Sequence, residues 1–138
     1  MTESFRTEEL FFMMKKISLD WTAQLEMKFH HENMTGVQLY FMVYILRHHP
    51  KGTYITELCH EIGLAKSTLS ELVKKLREKG YLCFERNTDD IRKKKIVPTE
   101  KLLSEGEELL KKADQIETDI FSVLDQQERI RMWRLEKK

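Results

Sequence analysis

Between residues 66 and 74 the chain reads K-S-T-L-S-E-L-V-K, and Lys66, Ser67, Thr68, Ser70, Glu71 and Lys74 are all types that hydrogen-bond or carry charge. Leu69, Leu72, Val73 and Leu76 interrupt them at helical spacing. On one helix those four apolar side chains turn inward, which leaves the six polar ones on or near the outer face. A face of that kind can read a duplex. The Lys66 ammonium can meet guanine O6/N7 or a phosphate, the hydroxyls of Ser67, Thr68 and Ser70 can bond base edges or phosphates, and the Glu71 carboxylate can accept from cytosine N4. Lys74, Lys75 and Lys79 suit backbone phosphates, although a merely solvated helix face would carry the same lysines. Thr68 and Glu71 also have the T-x-x-E spacing of a capping box at the start of this helix.

A second basic cluster follows in N-T-D-D-I-R-K-K-K, residues 87–95. Arg92 can enter a narrow A·T-rich minor groove, Asp89 or Asp90 can hold its guanidinium in place, and Lys93 and Lys94 continue the charge toward phosphates. The plain alternative is a turn that carries Asn and Asp for turn chemistry. Residues 66–95 hold ten Lys or Arg against five Asp or Glu, a net of +5, in a chain whose total is +1, so the flanks sum to −4. A basic centre between slightly acidic ends is the footprint of a polyanion-binding region.

Positioning these residues requires a particular set of elements. The stretch I-T-E-L-C-H-E-I-G-L-A-K-S-T-L-S-E-L-V-K-K-L-R-E-K-G at 55–80 predicts helices near 55–62 and 67–79. Leu58, Ile62, Leu64, Leu69 and Leu72 supply apolar glue, Cys59 a small residue where the helices cross, Gly63 the tight turn and Gly80 the stop, which together make a helix-turn-helix. An ordinary αα-hairpin is the competing reading. Y-L-C-F-E-R at 81–86 and R-K-K-K-I-V at 92–97 predict a β-hairpin directly behind it, the wing of a winged helix.

Upstream, Leu10, Phe11, Met14, Ile17, Trp21, Leu25 and Phe29 recur at three- and four-residue steps, which predicts a helix from Thr7 to about His31. Thr35 and Gln38 have capping-box spacing before an all-round apolar run, Leu39 to Leu46, that predicts a central covered helix ending at His49-Pro50-Lys51-Gly52. Beyond Pro98, Leu103, Leu110, Ala113, Ile116, Ile120 and Leu124 predict another long helix, and Ile130 and Trp133 a short last one. The expectation is one mainly α domain over 1–138 with a minor β hairpin: a winged-helix lobe at 34–100 and terminal helices at 1–33 and 101–138. Those terminal helices hold Phe11, Phe12, Met13, Met14, Phe121, Met132 and Trp133, more apolar side chains than a thin monomer needs, which predicts a homodimer. Alternatively they cover the apolar helix at 37–48.

Composition narrows the class further. The chain lacks a signal-peptide pattern and any apolar run of bilayer length, so no membrane partner and a cytoplasmic location are expected. No nucleophile, base and acid recur at catalytic spacing, and no glycine-rich phosphate loop or cofactor motif is present, so the chain is not read as an enzyme. Cys59 is expected to be a buried inert thiol, which leaves Cys83, in the first wing strand, as the candidate for redox sensing. The pairs His30-His31 and His48-His49 lack metal-ligand spacing. Trp21, Phe29, Tyr40, Tyr44 and Met42 can line an apolar effector cleft or simply be core, and core is the better reading. A winged-helix module that binds protein instead of DNA is the rival from another class.

Three motifs resemble the MarR family of winged-helix transcription regulators: M-T-G-V-Q-L at 34–39, the whole 55–82 stretch through G-Y-L, and D-I-R-K-K-K-I-V-P-T at 90–99. The resemblance covers about residues 7–125. It implies an obligate homodimer with intertwined terminal helices, recognition helices in successive major grooves, wings on minor grooves of a pseudo-palindromic site, and ligand-tuned repression. It assigns recognition-helix roles to Lys66, Ser67, Thr68, Ser70 and Lys74, and wing roles to Asp90 and Arg92. The chain departs from the family pattern at the acidic Glu71 and at Gly106, which stands four residues later than in the commoner T-E-x-G.

Overall fold

A computed structural model of the chain describes residues 6–29, 33–86 and 94–138. Among the described residues, six helices and two strands run in the order α1 (Thr7–Lys28), α2 (Gly36–His48), α3 (Ile55–Ile62), α4 (Lys66–Glu78), β1 (Leu82–Arg86), β2 (Lys94–Pro98), α5 (Glu100–Ile120) and α6 (Gln126–Glu136). The fold is mainly α with a two-stranded antiparallel sheet, a winged helix as expected. Its described residues divide into two compact units, one from residues 37–110 and one from those before 37 and after 110. Among the described residues no helix is long and apolar enough to cross a membrane.

In the 37–110 unit α2 is central because it is apolar all round: Leu39, Phe41, Met42, Val43 and Ile45 are all buried. Its side chains meet α5 at Gly106, where a Cβ would lie 2.6 Å from Leu46 Cδ1. The displaced glycine of the sequence is therefore a point of close helix packing. α3 ends at Gly63, whose left-handed φ of +82° makes the turn and whose N–H donates to the Cys59 carbonyl at 3.0 Å. α4 then buries Leu69, Leu72, Val73 and Leu76, the i, i+3, i+4, i+7 stripe expected of it.

α4 begins earlier than its capping signal predicts. Ala65 is the N-cap, in extended conformation and without a side-chain cap bond. Thr68 is therefore the third helical residue, so its hydroxyl cannot cap the first turn, and the Thr68–Glu71 capping box does not form. The far end closes as expected: Gly80 N–H donates to Arg77 O at 3.0 Å and Tyr81 N–H to Leu76 O at 2.9 Å, the paired bonds of a Schellman motif. The chain leaves directly into β1, paired with β2 in the register Leu82↔Pro98, Phe84↔Ile96 and Arg86↔Lys94. Thr53 bridges Ile96 from the loop before α3. Thr99 caps α5, receives the Leu102 N–H, and donates its hydroxyl to Gly80 O at 2.6 Å, which ties the end of α4 to the start of α5.

In the other unit Leu25, Phe29, Met34, Ala113 and Ile116 are buried. Lys112 donates to the Lys28 carbonyl at 2.9 Å at the end of α1 and lies over the Phe29 ring. Gly36 packs its backbone against Thr22 and donates its N–H to Glu26 Oε2 at 3.0 Å. α6 starts with a complete capping box between Asp125 and Glu128, and Arg129 donates twice to Phe121 O across the preceding turn.

Candidate nucleic-acid interface

The six polar residues of α4 form one surface. Lys66, Ser67, Thr68, Ser70, Glu71 and Lys74 are all exposed while the intervening Leu69, Leu72 and Val73 are buried. The N-cap Ala65 makes no side-chain cap bond, so the first-turn amides of α4 are left to suit an anion at the positive end of the helix. The i, i+4, i+7 spacing of Ser70, Lys74 and Arg77 carries the stripe on to the end of the helix, and Arg77 is exposed as well. A groove of about 410 Å³ opens there, lined by Lys74, Arg77, Glu78, Leu82 and Cys83.

Asp89, Asp90, Arg92 and Lys93 lie outside the described residues, as do His30 and His31. Lys94 is described and exposed, at the start of β2. Its Nζ lies 5.2 Å from the centroid of the Phe84 ring, and the Arg77 guanidinium carbon lies 4.0 Å from the same centroid. Sequence reasoning missed both Arg77 and Phe84. Arg77 was legible from its helical step beyond Lys74, but the aromatic partner needs the strand register.

Behind α4 a polar clasp joins α2 to α3. Glu61 Oε1 accepts from the Tyr44 hydroxyl at 2.7 Å and pairs with His49 Nε2 at 2.7 Å. Hydrogen bonds from His49 and then Tyr44 hold the Glu61 carboxyl below its usual value. Burial first, then the Glu61 hydrogen bond and charge, push the Tyr44 phenol up to about 12. The histidine pair at the end of α2 thus reaches a carboxylate, and Tyr44 also stacks on His48 with ring centroids 4.5 Å apart.

Of the effector-cleft candidates, Tyr40 and Tyr44 are half-buried neighbours on α2, with centroids 6.4 Å apart. Trp21 and Phe29 belong to the other unit, where Phe29 is buried beneath Lys112. Met42 is core. Cys59 is half-buried, less enclosed than the buried thiol expected at a helix crossing, and Cys83 is exposed. Among the described residues no group of three or more His, Cys, Asp or Glu side chains could hold a metal.

A sequence model of the MarR family matches residues 32–93, which span α2, the helix-turn-helix and the first wing strand. No curated protein matches the chain by sequence. Among solved structures, S. aureus MepR in complex with DNA is 22% identical, with a TM-score of 0.81, covering 97% of this chain and 95% of that one. A putative MarR family regulator from Listeria monocytogenes, complexed with 26mer DNA, is 15% identical with a TM-score of 0.79, covering 98% and 86%. Bordetella bronchiseptica BpsR, whose DNA binding is regulated by 6-hydroxynicotinic acid, is 17% identical with a TM-score of 0.78, covering 98% and 96%. Residues 32–93 thus resemble the MarR family by sequence, and the chain has the winged-helix fold of the solved MarR regulators.

Proposed function

We propose that this chain is a sequence-specific double-stranded DNA-binding transcription regulator, a repressor that acts as a homodimer on a pseudo-palindromic operator. The observation that carries the reading is the exposed stripe of α4, six polar side chains over a fully buried apolar stripe, followed directly by a basic hairpin. Lys66, Ser67, Thr68, Ser70 and Glu71 face base edges in the major groove, with Lys74 on the backbone. Asp90, Arg92, Lys93 and Lys94 serve the wing. DNA complexes of the S. aureus and Listeria proteins of the same fold support this assignment.

Dimerisation is supported by apolar surface that a single chain leaves uncovered. On α1, Phe11, Phe12 and Met13 are 66%, 62% and 63% exposed, and on α6 Trp133 is 57% exposed. Such surface is costly in water, and a second copy meets it through closed two-fold symmetry. Residues 1–33 and 101–138 then act as the dimerisation part and 34–100 as the DNA-binding part. A small molecule or an oxidant would tune repression by changing the separation of the two recognition helices, which must match about one DNA turn.

Selection of bound sequences from a randomised duplex pool, followed by fluorescence anisotropy against salt, tests the reading. Affinity should fall steeply with salt, and Lys66→Ala or Arg92→Ala should each weaken binding at fixed salt. Absent or salt-insensitive binding would favour the winged-helix module that binds protein.

A further inference from the structure

The exposed stripe of α4 and the wing are separate elements, yet one aromatic ring touches a cation from each. Phe84 lies on β1 at the position opposite Ile96, and alternation places Lys94, opposite Arg86, on the same face of the hairpin as Phe84. Arg77 reaches this ring from the last turn of α4, at 4.0 Å, and Lys94 from β2, at 5.2 Å. Both cations are exposed, whereas Phe84 is half-buried. The half-buried ring thus seats both cations, each within the range of a cation–π contact.

We propose that Phe84 is a positioning residue for DNA binding, whose ring holds Arg77 and Lys94 so that the recognition helix and the wing present one continuous cationic track to the phosphate backbone between two grooves. The inference rests on the DNA-binding reading above. Long cationic side chains lose rotamer freedom when they settle on phosphates, and a ring that restricts them beforehand lowers that loss. The position of the groove lined by Lys74 and Arg77, between α4 and β1, agrees with a strand of DNA backbone crossing there. Ser70, Lys74, Arg77 and Lys94 then follow one another from the helix to the hairpin.

The test uses the full chain and the selected duplex, with anisotropy at a series of potassium chloride concentrations. Phe84→Leu keeps apolar volume and removes the π face. It should weaken binding about threefold to tenfold and reduce the log–log salt slope by about one to two, because two phosphate-facing cations lose their support. Phe84→Tyr should restore affinity to within about twofold. In the Phe84→Leu background, Arg77→Gln should add little further loss, since the two act through one contact. Circular dichroism and a urea midpoint establish that each variant is folded. Should Phe84→Leu fail to fold, Arg77→Gln in the otherwise native chain must still lower the slope by about one. Native affinity and slope in a folded Phe84→Leu, or in Arg77→Gln, would overturn the proposal alone. A native chain without salt-dependent duplex binding would overturn the DNA-binding reading with it.

Discussion

Gly63 and Gly52 allow the helix-turn-helix geometry to be tested by a pair of alanine substitutions whose costs differ for a structural reason. Gly63 sits at φ +82° with no heavy atom within 4 Å of a built Cβ, so Gly63→Ala adds backbone strain and nothing else. The left-handed conformation costs an L-residue about 1–2 kcal/mol, and the stiffer unfolded chain returns about 0.4–1 kcal/mol, so the net loss is about 1 kcal/mol. Gly52 lies at φ +111°, and its Cβ would meet Val97 Cγ1 at 2.6 Å and Ile96 O at 2.9 Å. Ile96 cannot move aside, because its carbonyl accepts the Thr53 N–H at 2.8 Å and its own N–H donates to Thr53 O at 2.7 Å. Overpacking of that kind adds about 1–3 kcal/mol to the strain, which brings Gly52→Ala to about 2–4 kcal/mol. In a chain of 138 residues this corresponds to about 3–4 °C for Gly63→Ala and about 7 °C or more for Gly52→Ala. Urea and thermal unfolding followed by circular dichroism, at one fixed protein concentration, measure both. Gly63→Asn should recover part of the loss, since asparagine tolerates this conformation. Equal costs at the two positions would refute the reasoning, because it attributes the difference entirely to the β2 atoms behind Gly52.

Four other predictions rest on particular residues. Glu61 is held below its ordinary 4.5, so its contribution to stability is complete above pH 4.5 and disappears as pH falls through the lower folded value. Glu61→Gln should therefore flatten the acid limb of urea midpoints measured from pH 7 to about pH 3, and an unchanged limb would contradict the clasp. In the same variant the Tyr44 phenol loses the Glu61 charge but keeps its burial, so ultraviolet titration should show its phenolate forming at lower pH than in the native chain. Cys83 is exposed and Cys59 half-buried, so a thiol reagent should label the chain in two phases, with Cys83→Ser removing the fast one; loss of the fast phase in Cys59→Ser would reverse the assignment. Phe11→Glu or Trp133→Glu should shift sedimentation from dimer to monomer with helicity retained, and a native chain that sediments as a monomer at micromolar concentration would end the dimer proposal.

The parts of the fold that sequence made legible are those decided locally. The inward stripe Leu69, Leu72, Val73 and Leu76 and the Gly80 stop follow from helical period and backbone conformation, and both appear in place. The start of α4 was misread because a T-x-x-E spacing says nothing about which residue adopts the extended N-cap conformation, and Ala65 adopts it. At α6 the corresponding signal, Asp125 with Glu128, was present and genuine. The Phe84 contacts could not be read at all, because residues 77, 84 and 94 meet only once a helix end and a strand register are both set.

α1 shows why periodicity identifies a buried face but not what buries it. Phe11, Met14, Ile17, Leu25 and Phe29 belong to one repeating pattern, yet Leu25 and Phe29 are buried while Phe11, Met14 and Ile17 are exposed. Intrinsic propensity cannot separate them, since the same residue types in the same helix meet opposite fates. Only the surface opposite each turn differs. Around Phe29 the chain supplies its own cover through Lys112. Toward the N-terminus of α1 the described chain supplies none, and the apolar residues persist for two further turns and spread around the helix to Phe12 and Met13. A helix that only capped its own core would turn polar where that core ends. The apolar continuation past that point is the surface that the proposed two-fold partner, offering the same helix, would cover.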